Sequence, residues 1–321
     1  MSDPDRLRHR TLIACLMLAC AVLLATACAP AQASRLPQAQ STPAQSTQIP
    51  LSPTTAPTRL PPTLTSTNTH TPQPTDTPTQ QPSPTPPACR QEPGYVEQTS
   101  LRSTALKLPM EVRVYLPPCY AQDTDQTYPV LYLIHGMNYT EAQWDDLGAD
   151  ESADRLIQSG AAPPFIIVMP RDRLWKEPSE TSFDEVFLGE LIPWVDSRYR
   201  TRPERRYRAV GGLSRGGAWA LHFGFNRPDL FSAVGAHSAP VFWEDANRIK
   251  SWLDALAPEQ LPRLYMDIGE KDYLRRSNTW LEELLTARGV PHEYYSFPGY
   301  HEDAYWSAHV EDYLRWYAAG W

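Results

Sequence analysis

Short apolar runs and helical patterns alternate along the chain from about residue 112 onward. The runs at 129–134 and 165–169 are apolar throughout, which is typical of strands covered on both faces. This alternation predicts an α/β fold with a mostly parallel, doubly wound central sheet flanked by helices. Strands are predicted over 112–116, 129–134, 165–169, 207–211, 231–236, 263–268 and 292–297, and helices over 185–199, 214–226, 249–256, 278–288 and 303–317.

The chain before residue 89 lacks this alternation. Residues 29–88 hold fifteen of the 33 prolines and no Phe, Tyr or Trp, and all ten tryptophans lie from Trp144 onward. A segment without large apolar groups cannot offset the entropy lost when its backbone is ordered. We therefore predict a disordered Pro/Thr/Ser/Gln-rich linker over 29–88 and a single folded domain over 89–321.

The N-terminus has the pattern of an export signal over residues 1–28. Three arginines within the first ten residues precede an uncharged, mostly apolar run that ends at Cys28. Its last residues resemble the lipobox of bacterial lipoproteins, in which the cysteine is lipidated, although Ala25 stands where Leu is usual. We expect an exported lipoprotein anchored through Cys28. A secreted form cleaved near Ala33 and an uncleaved anchor helix are the alternatives.

The charge balance excludes some classes of partner. The chain has a net charge of −8, and within residues 89–321 there are 24 basic and 34 acidic residues. Nucleic acids and anionic lipids are bound through basic surfaces. We expect no nucleic-acid partner, and contact with a membrane only through the N-terminal lipid or signal anchor.

The predicted domain contains two cysteines, Cys89 and Cys119. An even pair in an oxidising compartment indicates a disulfide, here one that closes a loop of about 30 residues. A reactive thiol is the alternative, but it would need a nearby base, and the local sequence offers none.

The motif Gly-x-Ser-x-Gly at 212–216 lies between a predicted strand and a predicted helix. In this context the serine sits on a tight turn at the sheet edge, so Ser214 is the candidate nucleophile. The Arg215 amide at the helix N-terminus would face the oxygen that gains charge during attack. The Met137 amide, after the strand 129–134, is the candidate second donor, with Gly136 and Asn138 as alternatives.

A nucleophilic serine needs a base, and the base needs an orienting acid. Asp272 follows the strand 263–268 and is the candidate acid, with Glu270 and Asp267 as alternatives. His301 follows the strand 292–297 and is the candidate base. His135 is interpreted as a scaffold residue.

Other residues near strand ends are candidates for contact with substrate. Exposed aromatic side chains would suit stacking on sugars, and an arginine would suit an anionic group, although a solvated loop is an equal interpretation of 171–176. His237 is also a candidate for contact with substrate, and a hydrogen-bonded structural role is the alternative. No cluster of ligands has metal-binding spacing, so we predict no metal and no cofactor. The candidate lining residues are Trp144, Arg171, Trp175, His237 and Trp306, with Trp243 also near the site.

Several segments together resemble the putative-esterase family, the esterase D and feruloyl esterase-like branch of the α/β-hydrolases. They span about residues 95–318 in the order usual for that family. Cys119 stands where a glycine is common, which fits the expected disulfide. The matching segments are Tyr115-Leu-Pro-Pro-Cys-Tyr120, Leu131-Tyr-Leu-Ile-His-Gly136, Glu190-Leu-Ile-Pro-Trp-Val-Asp-Ser-Arg-Tyr199, Gly212-Leu-Ser-Arg-Gly-Gly217, Gly269-Glu-Lys-Asp272 and Gly299-Tyr-His301.

The resemblance implies hydrolysis of carboxylic esters through an acyl-serine intermediate. It places the nucleophile, acid and base on Ser214, Asp272 and His301. The expected substrate is a small-molecule ester or an ester linked to polysaccharide, such as a feruloyl or acetyl ester. An acyltransferase of the mycolyltransferase-like type and a non-catalytic, tethered binding module are the alternatives, with an extracellular peptidase a lesser one.

Overall fold

An eight-stranded mixed sheet forms the centre of the computed structural model, which describes residues 88–321. The strand order is β1-β2-β4-β3-β5-β6-β7-β8. β3 to β8 pair in parallel, whereas β2 is antiparallel to both β1 and β4. The strands are β1 Tyr95–Leu101, β2 Met110–Leu116, β3 Val130–Ile134, β4 Ile166–Pro170, β5 Arg208–Leu213, β6 Ala233–His237, β7 Arg263–Gly269 and β8 Glu293–Phe297.

Helices cover both faces of the sheet, and each face has its own apolar core. α2 and α8 contribute to one core, and α3 to α7 contribute to the other. A π-helical turn at Phe187–Leu191 joins α3 to α4. The helices are α1 Gln143–Asp146, α2 Ala149–Gln158, α3 Phe183–Val186, α4 Ile192–Arg198, α5 Arg215–Asn226, α6 Asp245–Ala255, α7 Arg275–Ala287 and α8 Asp303–Ala318.

This architecture confirms the predicted α/β class and the mostly parallel sheet. The predicted strands correspond to β2 through β8, and no strand end differs by more than two residues. Three elements were not predicted, namely β1, the short helix α1 and α2. β1 is an edge strand with mainly exposed or half-buried residues, so its apolar signal is weak.

The predicted disulfide between Cys89 and Cys119 is present, with the two Cα atoms 5.1 Å apart. Cys119 has φ = 68°, in the left-handed region where a Cβ atom is unfavourable and glycine is not. This backbone conformation is a physical reason for a glycine to be common at this position. Both cysteines border a surface cavity with Pro164, two residues before β4 begins, so the bridge lies at the amino-terminal edge of that strand.

The predicted signal peptide, the lipobox-like Cys28 and most of the predicted linker lie outside the described residues. Within residues 88–321, no helix is both long and apolar enough to cross a membrane. The same part of the chain contains no group of three or more His, Cys, Asp or Glu side chains arranged to hold a metal ion.

Candidate active site

Ser214 lies in a sharp turn between β5 and α5. Its backbone has φ = 52° and ψ = −123°, an unfavourable conformation for a residue with a side chain. The turn is tight because β5 and α5 approach closely. A Cβ atom on Gly212 would lie 2.3 Å from the Gly216 carbonyl carbon, and one on Gly216 would lie 2.0 Å from the Ile134 oxygen. The two motif glycines are therefore sterically required.

The structure brings the three residues predicted as nucleophile, acid and base together. His301 Nε2 lies 2.9 Å from Ser214 Oγ, and His301 Nδ1 lies 2.8 Å from Asp272 Oδ2. The Asp272 side chain is fully buried, whereas the His301 side chain is 11% exposed and Ser214 is 8% exposed, so solvent reaches the base and the serine but not the carboxylate. A carboxylate at Nδ1 favours the tautomer whose Nε2 can accept the serine proton.

Within the described residues, neither alternative acid hydrogen-bonds to His301, whose Nδ1 lies against Asp272. Asp267 is fully buried within β7, where its carboxylate accepts hydrogen bonds from Tyr305 and Tyr313, each at 2.7 Å, and lies 2.7 Å from His237 Nδ1. Glu270 is exposed at the end of β7. Asp272 is held by a 2.8 Å hydrogen bond from the Leu274 amide to its Oδ1, which leaves Oδ2 for His301.

The residues predicted as oxyanion donors follow the serine directly or follow a neighbour of it. Arg215 is the first residue of α5, so its N–H group has no partner within the helix. Met137 follows Gly136, whose position is so close to the serine that an added Cβ atom would lie 3.5 Å from Ser214 Cβ. The Gly136 N–H donates to Gln143 Oε1 at 2.8 Å and is not free. This makes Gly136 the weaker of the three candidates in its loop.

His135 is a buried scaffold residue, as interpreted from the sequence. Its Nδ1 lies 2.7 Å from the Gly136 oxygen, and its Nε2 accepts the Asp172 N–H at 2.9 Å. An acceptor at Nε2 requires the proton to be on Nδ1. Burial lowers the pKa of His135 and so stabilises this neutral form.

Three of the predicted lining residues do not offer a surface to substrate. Trp144 is 1% exposed and donates its indole N–H to the Ile134 oxygen. His237 is fully buried against Asp267. Trp306 is 2% exposed and packs edge-on against the His301 ring, with the two ring centroids 4.9 Å apart. For these three the prediction is corrected, because each side chain turns into the core.

Exposed aromatic side chains nevertheless surround the site. They lie in the loops that follow β4, β6, β7 and β8, which all open at the sheet edge that carries Ser214. Of these side chains, only Trp175 and Trp243 were predicted from the sequence to lie near the site, because an isolated tyrosine in a loop gives no signal of its own. The exposed fractions are 60% for Trp175, 85% for Trp243, 74% for Tyr273 and 52% for Tyr300.

A cavity of about 730 Å³ opens beside the loop that follows β4. Its size is within the range of small-molecule sites. Arg171 lines it, but its guanidinium group lies 3.6 Å from the Glu141 carboxylate, so its charge is partly neutralised there. Leu174 and Lys176 also line it, and their carbonyl groups accept hydrogen bonds from Arg215, which follows the candidate nucleophile.

Residues 103–317 match the family model described as "Putative esterase". The chain belongs to this family. A solved ferulic acid esterase superposes with a TM-score of 0.65 at 26% identity, covering 71% of this chain and 98% of that chain. The fold of the described domain is therefore that of α/β-hydrolase esterases.

Two of the curated relatives are larger proteins. The chain is 28% identical over 222 residues to an endo-1,4-beta-xylanase/feruloyl esterase of Xylanibacter ruminicola, covering 63% of this chain and 29% of the relative. It is 33% identical over 140 residues to esterase Rv1288 of Mycobacterium tuberculosis, covering 40% of this chain and 29% of that protein. The chain thus spans less than a third of the length of these relatives.

Proposed function

We propose that this protein is a serine carboxylic-ester hydrolase that acts through an acyl-serine intermediate. The observation that carries the proposal is the position of His301, which lies within hydrogen-bond distance of both Ser214 Oγ and the buried Asp272 carboxylate. Membership in an esterase family and the likeness to a ferulic acid esterase support the same reaction class.

In the proposed reaction His301 takes the proton from Ser214 while the serine oxygen attacks the ester carbonyl. Asp272 holds the imidazole in the reactive tautomer and stabilises the imidazolium ion that forms. His301 then gives its proton to the leaving alcohol. A water molecule, activated by the same imidazole, releases the carboxylic acid and restores the serine.

The negative charge of the tetrahedral intermediate would be bound by the amides of Arg215 and Met137. Each such donor is worth about 3–4 kcal/mol in comparable sites. The strained backbone of Ser214 fits this role, because the turn presents its oxygen next to the N-terminus of α5.

We propose esters attached to carbohydrate, feruloyl or acetyl, as the substrate class. One relative is named for xylanase and feruloyl esterase activities. Aromatic rings such as Trp175, Trp243, Tyr273 and Tyr300 are exposed and offer apolar faces on which sugar rings can stack. The cavity beside Arg171 would take another part of the substrate.

We also propose that the domain works outside the cytoplasm. Residues 1–28 would direct export, Cys28 would carry the lipid anchor, and the proline-rich residues 29–88 would act as a spacer. A tether of this kind fits an enzyme whose substrate is a polymer that cannot diffuse to it.

The proposal is tested by hydrolysis of short p-nitrophenyl esters, beside Ser214→Ala as the matched control. We expect turnover by the parent and a loss of up to about 10⁶-fold in kcat in the variant. Methyl ferulate and acetylated xylan then test the substrate class. Equal inactivity of the parent and a folded variant on all three substrates would contradict ester hydrolysis.

Acyl transfer is distinguished in the same assay by adding a sugar acceptor. If release of the alcohol speeds up and the acyl group appears on the sugar, the enzyme is an acyltransferase with the same triad. If the acceptor has no effect, water is the acceptor and the hydrolase assignment stands.

A further inference from the structure

A second buried carboxylate, Asp172, lies next to the candidate site but does not contact the triad. It follows β4, and its side chain is only 3% exposed. Its Oδ2 accepts two hydrogen bonds, from Arg215 Nε and Trp219 Nε1, each at 2.9 Å. Its Oδ1 accepts the Leu174 N–H at 3.0 Å. Both carboxylate oxygens therefore accept hydrogen bonds from within the protein.

One set of these contacts reaches the N-terminus of α5. Arg215, whose own amide is a candidate oxyanion donor, is held at Nε by Asp172. It donates from Nη2 to the carbonyl oxygens of Leu174 and Lys176, each at 2.7 Å. The guanidinium group also lies over the rings of Trp219 and Phe242. The first turn of α5 is thus fixed to the loop after β4 through one side chain.

The other contact reaches the loop after β3. The Asp172 N–H donates to His135 Nε2 at 2.9 Å, and His135 Nδ1 lies 2.7 Å from the Gly136 oxygen. Met137, the second candidate donor, is the next residue. A hydrogen-bonded path thus runs from the Asp172 backbone N–H through the His135 ring to the Gly136 oxygen, and it holds the loop that carries Met137.

We propose that Asp172 is a positioning residue that sets the distance between the two oxyanion donors. Asp172 contacts both sides, because its carboxylate accepts a hydrogen bond from Arg215 Nε and its backbone N–H donates to His135 Nε2, whose ring fixes the loop of Met137. An oxyanion hole is effective only if its donors are in place before charge develops, since reorganisation would cost part of the gain. This inference rests on the proposed ester hydrolysis.

A purely structural role would have a different signature. A carboxylate that only stabilises the fold would change the free energy of unfolding and the fraction of active protein. A carboxylate that aligns the donors changes kcat, because the donors act on the intermediate and little on the bound ester. The two roles are separated by kinetics on folded protein.

The test compares Asp172→Asn with Asp245→Asn in the full chain. Asp245 is a fair control because it is also buried, at 1% exposure, and also contacts a side chain of α5, namely His222 at 2.8 Å. For Asp172→Asn we expect kcat on p-nitrophenyl acetate to fall by about 10- to 100-fold with KM within about twofold. For Asp245→Asn we expect an unchanged kcat per folded molecule.

Affinity for a tetrahedral mimic gives the second readout. An alkyl boronic acid that bonds to Ser214 forms a charged adduct at the oxyanion position. Its inhibition constant should rise by the same factor by which kcat/KM falls in Asp172→Asn, and affinity for the product acid should not change. An unchanged inhibition constant, or a fall in kcat that is equal in both variants, would overturn the proposal.

Arg215→Met provides the same test if Asp172→Asn does not fold. It keeps the backbone amide and the Trp219 contact to Asp172, and it removes the guanidinium group that joins the first turn of α5 to Asp172, Leu174 and Lys176, so a fall in kcat with KM preserved is again expected. A fully active Arg215→Met would overturn the proposal. If Ser214→Ala is inactive but Asp172→Asn and Arg215→Met are both as active as the parent, only the role of Asp172 is refuted. An inactive parent refutes the proposed function as well.

Discussion

Removal of the disulfide should lower stability and leave catalysis unchanged. The bridge joins cysteines separated by 30 residues. Chain-entropy arithmetic for a loop of that length gives about 3.6 kcal/mol of stabilisation at 25 °C. The double variant Cys89→Ser with Cys119→Ser should have a free energy of unfolding lower by about 3.6 kcal/mol. Cys89→Ser with Cys119→Gly should lose about 1 kcal/mol less, because glycine removes the cost of the left-handed conformation at 119.

Urea unfolding followed by tryptophan fluorescence measures both losses. The turnover of p-nitrophenyl esters per folded molecule should not change, because the bridge lies at the opposite edge of the sheet from Ser214. A loss below about 1 kcal/mol in the double serine variant would refute the entropic argument. A lower kcat in folded variants would refute the separation of bridge and site.

Three further predictions concern single residues. Gly216→Ala should abolish ester hydrolysis and lower the melting temperature, because its Cβ would lie 2.0 Å from the Ile134 oxygen; normal activity would contradict the description of the turn. Asp272→Asn should reduce kcat by about 10⁴-fold, because the reactive tautomer of His301 is then disfavoured. A kinetic assay in which kcat falls by less than about tenfold would contradict this role of Asp272. Burial, together with a hydrogen bond to Glu151, raises the pKa of Asp150 from 3.8 to about 7. The charged form is therefore favoured in the unfolded chain, and stability is lost as pH rises through about 7. Asp150→Asn should then raise the melting temperature more at pH 8 than at pH 5 in buffered thermal scans, and equal shifts at both values would contradict the raised pKa.

Much of the fold was predictable because the central strands are buried on both faces. Such strands leave continuous apolar runs, as in β3 and β4, where every residue is buried. The signal fails at the edge of the sheet, where β1 has one buried residue among seven. α2 does carry apolar residues at helical spacing, at Ala149, Ala153, Leu156 and Ile157, so this helix was missed although the signal was present.

The juxtaposition of Ser214, Asp272 and His301 was predictable from topology. Each residue follows the end of a strand, and the ends of parallel strands meet at one edge of the sheet. No local property of the three residues was needed beyond their order and their side-chain chemistry.

The direction in which loop side chains point was not predictable. Trp144 and Trp306 turn into the core, while Trp175 and Trp243 turn to solvent, although all four lie in or near loops at the same edge. Whether such a side chain is buried depends on tertiary packing around the loop, which the local sequence does not show. The pairing of Asp172 with Arg215 was also beyond reach, because the two residues are 43 positions apart and neither belongs to a recognised motif pair.

The central claim is that Ser214 is the nucleophile. Its most direct test is treatment of the full chain with a fluorophosphonate, followed by peptide mass spectrometry. We expect a single adduct on Ser214, none on Ser214→Ala, and much slower labelling of His301→Ala because the base is lost. An adduct on another side chain, with Ser214→Ala still labelled and still hydrolysing esters, would contradict the assignment.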